Sequence, residues 1–323
     1  MRGANYQTSS FTRGDRTGFD PMFPSLFLAV AALLAGGETR YSVSLTEEAS
    51  LIDKGNLLIL QPTFAYRQGD RWQFSTSIAA ITSTQDDTHA QARVRETYLG
   101  ISAGDFDFSG GRRLLRWGTG YAFTATGVLD PPRIATDPTD RLNLNQGRNM
   151  LKADWIYAGQ DVTLVWANGF GHETTAMRYN VLVAGFDTSV IVAHDRGGPT
   201  LAGTNFTRVF GDRIEVHGEF AWNAKAAELI GGKYTTSSGV TVIGEFFAAG
   251  PLRYGFVRVN KDRLRELPGW KEWDVAASLI TDFTHQTRIA VFDVLRRFGN
   301  HFSAYTHAQV PSALVAVGIR FQL

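Results

Sequence analysis

Cysteine is absent from the 323-residue chain, which excludes disulfide scaffolds, thiolate metal sites and cysteine nucleophiles. An excess of either charge is also missing, since 32 lysines and arginines balance 31 aspartates and glutamates. A nucleic-acid partner normally requires a basic excess or patch, so none is expected. Proline is scarce at 10 residues, whereas 44 % of the chain is apolar and 12 % aromatic, enough to bury a core and to exclude disorder. No apolar run reaches the roughly 20 residues that a spanning helix needs. The zinc-protease spacing H-E-x-x-H is missing too. Glu215, His217 and Glu219 share one strand face, but such a trio is far more often solvated or paired than catalytic. Neither an enzyme, nor a cofactor, nor a metal is expected.

The longest apolar run is MFPSLFLAVAALLAGG, Met22 to Gly37. Its uninterrupted core of about ten residues has the size of a signal-peptide h-region. Arg2, Arg13 and Arg16 lie upstream, and the small residues Ala35 and Gly37 are placed for cleavage. Residues 1–37 are therefore expected to be a cleaved signal peptide and 38–323 a single domain. Asp15 and Asp20 make the leading region long and mixed in charge, and Met22 is an alternative start.

Beyond Arg40 the recurring period is two, not 3.6. In RIEVHGEFAW, Ile214, Val216, Phe220 and Trp222 fall on one face, and Arg213, Glu215, His217 and Glu219 on the other. MLKADWIY sets Leu151, Ala153, Trp155 and Tyr157 against Lys152 and Asp154. WDVAASLITDF sets Trp273, Val275, Ala277, Leu279 and Phe283 against Asp274, Ser278 and Asp282. Tight polar turns separate such segments, as RQGD at Arg67, AGQD at Ala158 and FGDR at Phe210, which is the signature of successive antiparallel hairpins.

From Leu57 onward these signals mark about sixteen strands of roughly ten residues, the length at which a tilted strand crosses a bilayer. Longer connections are expected at Thr84 to Ala92, Gly118 to Asn149, Gly171 to Ala176 and Gly250 to Lys271. RYSVSLT, Arg40 to Thr46, supplies an earlier strand, and RYGFVRVN, Arg253 to Asn260, another inside the last of these connections. The expected fold is all-β, a transmembrane antiparallel up-and-down barrel of 16 to 18 strands. Parity favours 18, because both ends of an outer-membrane barrel lie on one side.

The final segment, SALVAVGIRFQL, places Val315, Val317, Ile319, Phe321 and Leu323 on one face. A strictly alternating strand with an aromatic near the terminus resembles the signal by which outer-membrane barrels are recognised by their assembly machinery. Val315–Leu323 is thus the expected contact with that partner, and a Gram-negative outer membrane the expected location, with its lipid bilayer as surroundings. Tyr66, Trp72, Tyr157, Trp222 and Trp273 are candidates for interfacial girdles.

A barrel this wide encloses a water-filled lumen or a plug. Candidate pore-lining residues are Arg93, Arg95, Arg112, Arg116, Lys152, Asp154, Arg213, Glu215, His217, Glu219, Asp274 and Arg320, with Glu245 and Asp282 beside them. The arginines of GRRLLRWG, Arg112, Arg113 and Arg116, lie near Arg93 and Arg95 on the neighbouring strand. They either attract anionic solutes or pair with Glu96, Asp105 and Asp107 to brace the wall.

One stretch resists the strand pattern: RWGTGYAFTATGVLDPPRIATDPTDR, Arg116 to Arg141. As a phosphate cradle it fails, because Phe123 follows the Gly118-x-Gly120 pair and no Lys-Ser or Lys-Thr comes after. Asp130, Asp137 and Asp140 lack the regular spacing of a calcium loop. Pro131, Pro132 and Pro138 stiffen it, and its aromatics argue for packing. The expectation is a structured loop in or over the pore, with Trp117, Tyr121, Phe123, Asp130, Asp137, Asp140 and Arg141 as constriction candidates.

RWGTGYAFTATGVLDPP, followed by DPTDRLNLNQGR and MLKADW, resembles a stretch found in porin-like outer-membrane barrels of Gram-negative bacteria, loosely similar to alginate-export channels. RYGFVRVNKDRL, WDVAASLI and FGNHFSAYT extend the likeness in patches. The resemblance implies passive transport across the outer membrane and names no solute. The expected function is a channel for small polar solutes, anionic ones among them, narrowed by the 116–141 loop. A plugged structural or adhesive barrel is the alternative, and an outer-membrane hydrolase a more remote one.

Overall fold

The computed structural model describes residues 37–50, 55–83, 89–169, 171–264, 272–311 and 314–322. Most of the expected signal segment, residues 1–36, lies outside them, as does Leu323. Among the described residues every regular element is a strand. The first six are β1 (Glu38–Ser50), β2 (Asn56–Gln68), β3 (Trp72–Ser83), β4 (His89–Ala103), β5 (Phe106–Arg113) and β6 (Arg148–Tyr157). Then follow β7 (Gln160–Gly169), β8 (His172–Val183), β9 (Phe186–Asp195), β10 (Thr200–Phe210), β11 (Ile214–Trp222) and β12 (Ala226–Thr235). The last six are β13 (Val240–Ala249), β14 (Leu252–Lys261), β15 (Trp273–Asp282), β16 (Thr287–Phe298), β17 (Phe302–Val310) and β18 (Leu314–Gln322).

Each strand pairs antiparallel with its sequence neighbours, and β1 pairs with β18, so an 18-stranded sheet closes on itself without an edge. Closure gives each strand a hydrogen-bonded neighbour on both sides, which hydrocarbon surroundings demand. The even count puts the start of β1 and the end of β18 at one rim, here the terminal rim. Local chemistry sets the hairpins: Ala158 and Gly159, with φ of 50 and 79, and Ala184 and Gly185, with φ of 51 and 80, form two-residue turns with both residues left-handed.

Three expected connections are shorter than predicted, the first being Thr84 to Ala92, whose last residues belong to β4 beginning at His89. Gly171 to Ala176 is mostly strand, because β8 begins at His172. Gly250 to Lys271 is interrupted by β14, the strand that parity required, leaving a turn at 250–251 and a connection of 262–272 at the terminal rim. The 114–147 connection, between β5 and β6 at the far rim, is the long one among the described residues.

The inverted arrangement of faces settles what periodicity alone leaves open. Leu151, Leu164, Trp166, Val190, Val192, Phe220, Ile230, Leu279, Phe292 and Ile319 are exposed on the outside. Lys152, Asp154, Glu219 and Glu245 share the inner face with a buried core. A continuous apolar outer belt of this kind is stable against lipid and not against water. Of the girdle candidates, Trp72, Tyr157 and Trp222 are exposed at strand ends and Tyr66 is buried. Trp273 is half-buried, under the guanidinium of Arg296.

Candidate functional site in the barrel lumen

The 114–147 connection lies inside the ring of strands, since its residues touch the inner wall from β1 round to β18. Both ends are fixed on β4. Leu114 N donates to Glu96 Oε1 at 2.9 Å. At the other end Gly147 N donates to Arg95 O at 2.9 Å. The second bond depends on a bulge: Ser77 pairs with Glu96 and Ile78 with Val94, so Arg95 has no partner across the ladder. A bulge frees backbone groups and re-aims a side chain. Here it turns Arg95 inward, where Nε donates to Asn145 O at 3.2 Å.

The first half of the loop is held by two carboxylates of the wall. Glu219 Oε1 accepts from Thr119 N at 2.6 Å, Thr119 Oγ1 at 3.2 Å and Gly120 N at 2.9 Å. Its Oε2 accepts from Ala125 N at 2.6 Å, Thr126 N at 2.7 Å, Thr124 Oγ1 at 2.9 Å and Thr126 Oγ1 at 3.0 Å. Glu245 accepts from Ala122 N at 2.8 Å, from Tyr121 N, and from His217 Nε2 at 3.0 Å. The Gly118-x-Gly120 turn is thus an anion cradle after all, and the anion is the protein's own. Convergent backbone N–H groups in such a nest favour negative charge. Gly120 is required there: a Cβ would lie 2.3 Å from Phe123 O and 2.7 Å from Leu229 Cδ1. Gly231 opposite His217 makes similar room, since a Cβ would stand 2.4 Å from the imidazole Nε2.

Around this polar grip lies an apolar one. Trp117 and Leu129 of the loop pack on Met150, Val165, Ala167, Ala176, Ile191, Ala193, Leu201 and Ala221 of β6 to β11, with Leu115, Ala125 and Val128 beside them. Tyr121 and Phe123 join Ile243, Phe256, Ile280 and Val291. Each fully buried large aliphatic or aromatic side chain contributes about 1.5–3 kcal/mol. Asn205 Nδ2 closes the inner surface with bonds to Trp117 O at 2.8 Å and Thr126 Oγ1 at 3.0 Å.

The second half of the loop meets the opposite wall through polar contacts. Arg141 pairs with Glu48, whose Oε2 also accepts from Tyr305 Oη at 2.8 Å. Arg320 donates to Arg141 O and to Thr46 Oγ1. Gln61 Nε2 reaches Leu142 O at 3.1 Å and Asn143 O at 2.9 Å. Asp137 and Asp140 accept from backbone N–H groups of the loop itself, at Arg141 and at Leu144 and Asn145. Burial pushes the carboxyls of Asp130 and Asp137 up, against the opposing pull of Arg133 on the first and of the Arg141 backbone N–H on the second. Burial raises the Tyr121 phenol as well.

On this side a cavity of about 690 Å³ remains between loop residues 138–143 and the wall from β13 to β18. It runs from Asp262 and Gln322 at the terminal rim to Phe256 in mid-strand, past Arg258, Asp274, Asp293 and Arg320. Its charges are largely matched. Arg258 pairs with Asp293 at 3.2 Å, and Asp274 pairs with Arg297.

The candidate residues divide accordingly. Arg320 and Asp274 border the cavity, and Arg141, Asp140 and Tyr121 form its loop side. His217 and Glu219 lie on the lumen face but are buried under the loop rather than open to water. Glu215 lies beside them and accepts from Lys233 Nζ at 2.7 Å and from Tyr121 Oη at 3.0 Å. Lys152 and Asp154 pair with each other, Arg93 reaches Gln91 at 3.0 Å, and Arg213 is exposed in the β10–β11 turn. Arg116 is exposed on the loop. Arg112 is a correction: alternation sends it to the outer face with Phe106 and Phe108, where Nε donates to Asn149 Oδ1 at 3.2 Å. Its neighbour Arg113 turns inward over the Tyr98 ring. The five-arginine cluster is therefore dispersed by the pleat.

Sequence reasoning missed Asn205, Glu48, Arg258 and the apolar lumen face of β7 to β9. That face left a signal. In β9, Val190 and Val192 face out while Ile191 and Ala193 face in, so both faces are apolar where a lumen wall facing only water would alternate.

A G-x-S-x-G spacing, Gly100 to Gly104, occurs at the end of β4. A two-residue turn and β5 follow it rather than a helix, so it is not a nucleophile elbow. Among the described residues no group of histidines and carboxylates is arranged to hold a metal ion.

No family model and no curated protein matches the sequence. Solved structures do match in fold. OccK11 (OpdR) of Pseudomonas aeruginosa is similar with a TM-score of 0.64 at 8 % identity, over 90 % of this chain and 96 % of that one. OccK5 (OpdH) of the same organism gives 0.59 at 8 % identity, over 89 % and 98 %. A mutant Rh. blastica porin gives 0.51 at 10 % identity, over 89 % and 100 %.

Proposed function

We propose that the chain is an outer-membrane channel of a Gram-negative bacterium, through which small polar solutes diffuse passively. The observation that carries this reading is the charge-lined cavity of about 690 Å³ between the second half of the loop and the β13–β18 wall. The apolar outer belt supplies the contact with the bilayer, and the porin among the fold neighbours agrees with transport. The loop is the constriction: Tyr121, Asp140 and Arg141 border the cavity, while Trp117 and Phe123 anchor the loop. Residues 1–37 direct export and are removed, and the C-terminal segment Val315–Leu323 engages the assembly machinery. No catalytic role is assigned.

Solute class follows from the paired charges. Arg141–Glu48, Arg258–Asp293 and Arg297–Asp274 leave alternating, locally neutral sites. Such a lining orients polar solutes across the passage without a strong preference for either ion sign. Reconstitution in a planar bilayer tests the proposal. Discrete conductance steps with a reversal potential near zero in a salt gradient are expected, and complete absence of ion passage would overturn it.

A plugged barrel is the second reading, and the tight packing of residues 117–129 on β6 to β11 favours it. Liposome swelling with neutral sugars separates the two, since only the channel admits them.

A further inference from the structure

Five arginines of the inner face, Arg95, Arg113, Arg178, Arg258 and Arg320, donate to carbonyl, hydroxyl or carboxylate oxygens. On the outer face at the far rim, Arg112 and Arg253 donate to backbone carbonyls. Near the terminal rim two outward arginines differ. Arg208, on the face of β10 that carries Phe206 and Phe210, lies over the Phe186 ring at 4.8 Å and the Phe210 ring at 4.6 Å. Arg296, on the face of β16 that carries Phe292 and Phe298, lies over Trp273 at 5.2 Å and Phe298 at 4.6 Å. Among the described residues neither guanidinium shows a carboxylate or hydrogen-bond acceptor. The same construction occurs twice, six strands apart.

Two ring centroids within 4.6–5.2 Å of each guanidinium carbon hold the charge by cation–π contact and offer no hydrogen-bond acceptor, so the N–H donors keep their capacity for an external anion. At the boundary of the apolar belt those donors meet lipid headgroups, and the anion present there at high density is phosphate. Arginine matches phosphate bidentately. We infer that Arg208 and Arg296 each bind the phosphate of a glycerophospholipid in the leaflet at the terminal rim, while the flanking aromatic rings rest on its acyl chains. The inference rests on the membrane-spanning reading of the barrel and not on transport through it.

Native mass spectrometry of the full detergent-solubilised chain, titrated with phosphatidylglycerol, tests it. The wild-type protein should retain two lipids under conditions where Arg208→Gln and Arg296→Gln each retain one and the double variant none. Each site should weaken about tenfold, near 1.4 kcal/mol. Arg→Lys at either site should give an intermediate loss, because charge remains and the fork is gone. Sheet content by circular dichroism shows whether each variant is folded. Equal retention by a folded double variant overturns the inference, as does equal retention of diacylglycerol, which lacks the phosphate. Displacement by millimolar inorganic phosphate would mark a free-anion site and overturn the lipid assignment. A barrel that retains lipid but conducts nothing would defeat the channel proposal alone, and a chain soluble without detergent would defeat both.

Discussion

The two halves of the lumen loop are held by different physics. Residues 114–131 are fixed to β6–β16 by two apolar clusters and by Glu219 and Glu245, whose oxygens take up backbone N–H groups of the loop. Residues 132–147 meet β1, β2, β3, β17 and β18 through ion pairs, carbonyl contacts and a small cluster of Leu142 and Leu144 on Ile59, Ala79 and Ile81. The first contact is an apolar cluster around buried carboxylates, whereas the second is polar and borders a cavity. A single loop thereby fills one side of a wide barrel and borders a cavity on the other, and in the proposed channel adhesion and selectivity fall on separate residues.

Glu219→Ala breaks this division most severely. It strands the N–H groups of Thr119, Gly120, Ala125 and Thr126, and loss of one partner in a buried charged network costs about 3–5 kcal/mol. The loop should detach from β11, and single-channel conductance should rise several-fold with increased flicker. An unchanged conductance would mean that the apolar contacts alone hold the loop. Trp117→Ala removes the largest side chain of that cluster, at about 3–5 kcal/mol. Protease cleavage within 116–141 should then appear in the folded barrel while conductance rises less than in the first variant.

On the open side the effects should be smaller and different in kind. Arg141→Ala removes the cationic partner of Glu48 beside the cavity and leaves it, among the described residues, with its Tyr305 contact. The reversal potential in a salt gradient should move toward cation preference, with little change in stability. A stability loss like that of Glu219→Ala would show that both halves clamp alike.

Acid should do least. Asp130 and Asp137 are raised by burial, so their contribution to loop stability is fully present below their unfolded values and is lost as pH rises through the folded ones. Lowering the pH from about 7 to about 5 therefore does not release the loop through these two groups. Conductance across that range should not rise, and acid-induced opening would contradict this assignment.

The barrel itself was legible in the sequence. Period-two alternation, tight Gly-containing turns and the closing strand Val315–Leu323 led to 18 strands, because each is a local property of the chain. Parity even identified β14 inside an apparent loop. The site was legible only in part. The stretch 116–141 stood out through its glycines and prolines, but its partners are up to 179 residues away in sequence, as for Arg141 and Arg320, and alternation carries no register between distant strands. Arg112 was misassigned because adjacent residues on a pleated strand face opposite ways, so a run of arginines cannot all line one lumen. Glu219 and His217 lie on the inner face buried under the loop, and what covers them is not legible in their own strand.

The absence of native cysteine makes the central claim directly measurable. Ala276→Cys borders the cavity, and Ala193→Cys lies beneath the apolar half of the loop. Each, in a reconstituted channel, is exposed to a charged methanethiosulfonate reagent while current is recorded. The two-sided loop predicts rapid, stable reduction of current at Ala276→Cys and no change at Ala193→Cys. Equal modification of both, or modification of Ala193→Cys alone, would place the passage elsewhere and contradict it.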